Sequence, residues 1–310
     1  MNGSGWSRFI LLMGLWWAVS IPCSAMAGDA RGGGVRPSAL QGVWYPGEPG
    51  ALRGMVERFL SRAVPPVVQG RVLALVVPHA GYRYSGPVAA HAYRLIRGMD
   101  VERVVLIGPS HRWDFNGISV AGYDAYETPL GRVPVDRDMA RRLVKADPAF
   151  CFVPQAHAAE HCLEIQLPFL QTVLGAFEIV PVLMRRMDTP TCSLLAGSLV
   201  RAMEDGKRTL LIASTDLSHY HTDRTARDLD GRFMRYLEAF DPEGLTRALA
   251  ARRCEACGGG PTAAVLMAAR RLGAERCEIL DYATSGDATG DRDRVVGYVA
   301  AALTGSAGSP

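Results

Sequence analysis

The stretch RVLALVVPHAGYRYSGPVAAHAY, residues 71–93, decides the fold. Its first seven residues form an apolar run of β type, and the run ends directly in Pro78, His79, Ala80 and Gly81. Helical character follows over 87–97. Two other runs repeat the arrangement. RVVLI (103–107) leads into GPSHR and places His111 just past its end. TLLIA (209–213) leads into STDLSHY and places Asp216 and His219 there. In open α/β sheets the carboxyl ends of the strands converge on one crevice, so residues remote in sequence meet there.

Working outward, apolar runs at 178–183, 277–282 and 295–301 read as further strands. Helices are expected at 51–63, 136–145, 164–175, 190–204, 224–239, 242–252 and 262–272. Near-continuous Val, Ile and Leu runs indicate strands covered on both faces. Pro190 and Pro242 suit a first helical turn, whereas Pro168 inside 164–175 implies a kink or a late start. With no internal repeat and no long linker, the expected class is α/β: a single three-layer α/β/α domain with a largely buried central sheet.

Of the 310 residues, 48% are hydrophobic and 21% charged, with a formal net charge of +3. That composition suits a globular chain with a large core. No block of Lys or Arg is present, so nucleic-acid binding is not supported. The N-terminus differs: Arg8, the apolar run 9–21 and Ala25-Met26-Ala27 form the pattern of a secretory signal peptide over 1–27. The run is short for a membrane span. The expected organisation is then a flexible arm over 28–41, one domain over 42–303 and a disordered tail over 304–310. The protein is expected to be exported, to the periplasm or beyond, with an uncleaved N-terminal anchor as the alternative. Cys151, Cys192 and Cys277 read as buried small residues.

Several segments carry chemistry. Glycines 81 and 86 after His79 permit tight turns and close backbone approach, and His91 reads as a packing residue. HAAEHCLEIQLPF (157–169) matches the H-x-x-E-H zinc-peptidase pattern, with His157 and His161 as ligands and Glu160 activating water. The same cluster equally fits a crevice rim, with Glu160, His161 and Glu164 as hydrogen-bonding support. In STDLSHY, Asp216 and His219 suit an acid/base pair; Ser214 or Thr215 as a helix cap is the plainer reading. CEACGGGP (254–261) reads as a redox dithiol, half a zinc site, or a loop with one ligand cysteine. A helix N-terminus after its glycines would favour the Cys257 thiolate. Two histidines and a cysteine with open positions form a transition-metal donor set.

Together PHAGYRYSGPVAAHAY, GPSHR, TPLG (128–131), EHCLEIQLPFLQ, STDLSHY, CGGGP and YATSGDATGDRDRVVGY resemble the Memo family (mediator of ErbB2-driven cell motility). Its prokaryotic members are called AmmeMemoRadiSam system protein B. The resemblance runs from Gly42 to Leu303. It implies a LigB-like fold related to class III extradiol dioxygenases, which hold non-haem iron with two histidines and a carboxylate. By the same resemblance the metal ligands are His79, His111 and Cys257. Asp216 and His219 match pocket residues and act as acid/base or support, and Tyr82, His161 and Glu164 line the pocket. His157 matches no family histidine.

Three departures stand out. Cys162 replaces a serine, Cys254 is extra, and the leader is atypical. An oxidised Cys254–Cys257 pair is expected to form in an oxidising compartment and to weaken the metal site. Partners implied by the resemblance are AMMECR1-like and radical-SAM proteins, an association that export weighs against. The leading expectation is a metal-binding protein carrying iron or copper, with zinc also compatible, and with dioxygenase-like oxidoreductase chemistry if it is an enzyme. The alternatives are a non-catalytic protein that binds a small molecule or peptide or delivers metal, and then the zinc peptidase.

Overall fold

Alternate side chains of each central strand serve two different cores. The computed structural model describes residues 32–306, so the leader expected over 1–27 lies outside the described residues. A small sheet holds β1 (Val35–Arg36), β5 (Ala125–Thr128) and β6 (Gly131–Pro134). The main sheet holds β2 (Arg71–Val77), β3 (Arg103–Pro109), β4 (Ile118–Val120), β7 (Phe150–Cys151) and β8 (Glu178–Met184). It also holds β9 (Thr209–Ser214), β10 (His219–His221), β11 (Ala274–Thr284) and β12 (Val295–Gly305). Its order runs β12-β2-β9-β3-β8-β4-β7, and β10 and β11 both pair with β12. The central four, β2, β9, β3 and β8, are mutually parallel.

In β2, Leu75 and Val77 enter one apolar cluster and Ala74 and Val76 the other. The first cluster is completed by α1 (Pro49–Arg62), α2 (Tyr82–Leu95) and α6 (Leu167–Val173). The second is completed by α3 (Arg137–Ala146), α7 (Thr189–Ala202), α8 (Asp223–Glu238), α9 (Pro242–Ala250) and α10 (Gly259–Arg271). This is the expected three-layer α/β/α arrangement. Each large apolar side chain so buried contributes about 1.5–3 kcal/mol, which is why both strand faces are apolar. Among the described residues no helix is long and apolar enough to cross a membrane.

The differences from expectation have local causes. The second helix starts at Tyr82 rather than residue 87, because the Gly81 carbonyl accepts from the N–H groups of Tyr84 and Ser85. Pro87 then lies inside the helix, where it has no N–H to give the Arg83 carbonyl and its ring crowds that oxygen. The segment expected as one helix over 164–175 divides into α5 (His161–Glu164) and α6, with Pro168 in the first turn of α6. A short α4 (Pro154–Ala158) precedes them. From Val35 onward the stretch expected as a flexible arm is ordered: β1 pairs with β5, and Arg36 and Leu40 are buried. Thr304 and Gly305, expected in the tail, extend β12.

Candidate metal centre

β9 lies between β2 and β3, so three strand ends stand side by side. His79 follows β2 by two residues, His111 follows β3 by two, and Asp216 follows β9 by two. The ring of His79 stands edge-on to that of His111, with centroids 5.1 Å apart. The third ring is His161, carried by α5, at 5.2 Å from His79 and 4.4 Å from His111. Ligand nitrogens of these three residues all lie within 4.8 Å of one another. Cys257 comes from the loop before α10, and its Sγ is 3.1 Å from His79 Nε2. The close approach requires Gly258: a Cβ there would lie 2.3 Å from the Ser214 carbonyl oxygen.

Hydrogen bonds set the tautomers of two histidines. The Ser214 hydroxyl gives its one proton to the Cys162 carbonyl at 2.7 Å. Its oxygen therefore accepts from Gln166 Nε2 and from His79 Nδ1, each at 2.9 Å. Gln166 is fixed in turn by Tyr93, whose hydroxyl donates to Gln166 Oε1 at 2.7 Å. With its proton on Nδ1, His79 presents the Nε2 lone pair to the crevice. His111 is held alike, its Nδ1 donating to Glu160 Oε1 at 2.8 Å. A carboxylate or hydroxyl on one ring nitrogen is the usual device that fixes a metal-binding imidazole.

Glu160 is the organiser. Its carboxylate accepts from the backbone N–H of His111, His161 and Cys162 as well as from the His111 ring. Burial alone would raise its pKa, but those bonds and the neighbouring imidazoles bring it down to about 2. Burial pushes the other way on the histidines. It holds His79 well below its ordinary value and brings His161 down to about 4, so both are neutral near pH 7. Burial also lifts the Asp216 carboxyl to about 7. Asp216 Oδ1 accepts from the His79 backbone N–H at 2.7 Å, and its own carbonyl accepts from Cys257 N at 3.1 Å. Asp216 thus ties the His79 and Cys257 loops together. The expected stabilisation of a Cys257 thiolate by the helix end does not prevail: burial first, then the charge of Asp216, raise that thiol well above its ordinary value.

Some expected residues stand elsewhere. Tyr82 is in the core against Phe59 and Phe169, and its hydroxyl donates to the Ile165 carbonyl. Glu164 is fully buried beneath the segment 36–45, pairing with Arg36 and accepting from Ser38, Ala39, Leu40 and Tyr45. Neither lines the crevice, because each side chain is consumed by packing or by the chain that lies over it. Asp216 and His219 make no bond to each other: His219 Nδ1 donates to the Leu217 carbonyl at 2.7 Å. His219 nevertheless stands close enough to oppose a charge on His79.

The H-x-x-E-H pattern is coincidental. Both ring nitrogens of the fully buried His157 are engaged, Nε2 with Ser119 Oγ and Nδ1 with the Tyr126 hydroxyl, each at 3.0 Å. Cys254 and Cys257 are both free thiols. Ser214, expected at most to cap a helix, orients His79 instead, while Thr222 caps α8. Gln166, Tyr93 and Trp44 were not anticipated at the site. Their only signal is position: Gln166 lies one turn past Cys162, and Trp44 sits in GVWYPG with its ring 4.6 Å from that of His161.

A mixed sheet with a parallel centre, and with histidines and a cysteine gathered at those central strand ends, defines an α/β protein with a donor-rich crevice. The chain belongs to the Memo family: residues 36–302 match the family model described as Memo-like protein. A MEMO1 family protein of Methanothermobacter thermautotrophicus is 38% identical over 272 residues, 85% of this chain and 98% of the relative. One from Methanopyrus kandleri is 38% identical over 275 residues, 86% and 97% of the two chains. One from Ignicoccus hospitalis is also 38% identical, over 277 residues, 86% and 97%.

Proposed function

We propose that the crevice binds a redox-active metal ion, iron or copper, through His79, His111 and Cys257. One observation carries this reading. Two imidazoles have their Nδ1 protons anchored on Ser214 and Glu160, so both turn Nε2 lone pairs toward the same space, and a thiol lies 3.1 Å from one of them. Neutral, pre-oriented imidazoles are ready ligands that need lose no proton. The thiol must lose one, so binding releases a proton to solvent. Imidazole and thiolate together suit iron, copper or zinc. When bound, such an ion supplies Lewis acidity and one-electron chemistry. The chain's own residues orient the ligands, and His219, neutral with Nδ1 bonded to Leu217, keeps Nε2 as a proton acceptor.

Export through the leader over 1–27 belongs to the same proposal, and it places the Cys257 thiol where oxidants reach it. Metal analysis of anaerobically purified full-length protein tests the reading. Near one iron or copper per chain is expected, lost in His79→Ala and His111→Ala. Unchanged metal content in both variants would overturn it. A second reading, a non-catalytic site for a small molecule or peptide or for metal transfer, is favoured by exposed aromatics close in sequence to His111 and His219. Trp113 and Tyr220 are 42% and 65% exposed. Binding of a ligand that persists in the metal-free His79→Ala protein would support it.

A further inference from the structure

We propose that His161 is a third nitrogen ligand of this centre, forming with His79 and His111 a face of three imidazoles to which the Cys257 thiolate adds as the fourth donor. The inference rests on the reading that the crevice binds a metal, and it changes which residues hold the ion. Three observations carry it.

First, of the two compact donor groups among the described residues one is the three histidines, with ligand atoms within 4.8 Å of one another; the other, His111 with Glu160 and Cys162, leans on a carboxylate already engaged by four hydrogen bonds. Cys257 Sγ lies 3.1 Å from His79 Nε2.

Second, His161 Nδ1 is buried and makes no hydrogen bond. Glu160 Oε1 is 3.2 Å away but out of line, and it already accepts from His111 Nδ1, His161 N and Cys162 N. A carboxylate oxygen with that many donors has no lone pair to spare. Buried polar atoms without partners are rare and call for a partner outside the protein.

Third, the ring is held in one orientation by its neighbours. It stacks on His111 at 4.4 Å and against Trp44 at 4.6 Å, while α5 starts at His161 itself on the Glu160 cap.

A three-nitrogen face makes the thiolate an adjustable donor rather than an anchor. Cys257→Ser should therefore keep the ion and lose only the sulfur contribution. Imidazoles with one thiolate suit copper, zinc or iron.

The test uses full-length protein. Cobalt(II) loaded into the wild type should show a sulfur-to-metal absorption that vanishes in Cys257→Ser while cobalt remains bound. Pulsed EPR of copper(II)-loaded Cys257→Ser should count three coordinated imidazoles. In His161→Phe, which keeps the ring packing, cobalt affinity should fall at least tenfold with the melting temperature of the metal-free protein unchanged. A count of two imidazoles, or wild-type affinity in His161→Phe, overturns the inference while leaving the metal reading standing. Absence of stoichiometric binding of iron, copper or cobalt by the wild type overturns the metal reading itself.

Discussion

A single hydroxyl, Ser214 Oγ, decides how His79 presents itself. It has one proton to give, and the Cys162 carbonyl takes it. Ser214→Ala would leave His79 Nδ1 buried without its acceptor and release the tautomer. The expected result is a loss of about 1–3 kcal/mol in urea unfolding and a roughly 10–100-fold drop in metal affinity by titration. His157, whose two ring nitrogens are held by Ser119 and Tyr126, offers a pH test. Burial lowers its pKa to about 3, whereas an unfolded histidine titrates near 6.5. The unfolded chain therefore binds a proton that the folded one refuses between those values. Stability from this residue is full above pH 6.5 and is lost as pH falls toward 3. His157→Gln should flatten the acid side of the stability curve by about one proton, near 1.4 kcal/mol per pH unit. Urea midpoints at pH 7, 5 and 4 measure it, and parallel slopes for the two proteins would refute it. The strand-end histidines were legible because an apolar run and its end can be read from order alone. Ser214 and Gln166 were not, since a hydrogen-bond partner is chosen by the fold and leaves no periodicity.

Among elements, the segment 36–45 governs the site from behind. Arg36 is completely buried, donating to the carbonyls of His157 and Glu160 and pairing with Glu164. It thereby clamps both ends of the turn that carries Glu160 and His161. Arg36→Met should cost about 3–5 kcal/mol, because the Glu164 charge would stay buried without its partner. Replacing Glu164 as well should give no rescue, because Ser38, Tyr45 and two backbone N–H groups also depend on that carboxylate. Urea unfolding of the single and double variants checks this, and recovery in the double variant would contradict it. The sequence showed α1 through its helical periodicity, but β1 and β4 to β7 are two to four residues long. Such strands are shorter than the pattern needed to recognise them, so a buried arginine in a presumed arm went unread.

At the scale of the whole molecule, β12 is the keystone. It pairs with β11 along most of its length and with β2 over its last turns of sequence, from Ala301 to Gly305. Its side chains enter both cores. Ending the chain after Gly297 should abolish cooperative unfolding by circular dichroism, since β2 and β11 would both face an open edge. A truncated protein that still melts in one sharp transition would refute that role. The layering was readable because Val, Ile and Leu fill nearly every position of the central runs. The order β2-β9-β3 was not, since pairing across a crossover is set by packing rather than by neighbours in sequence.

That order has a consequence in time. The strands that end in His79 and His111 leave the ribosome well before β9, which must lie between them, and before the loop bearing Cys257. Domains fold as units during synthesis, and here the unit closes only after its last third is made. The nascent chain thus carries its strand-end histidines for most of synthesis before the crevice that gathers them can exist.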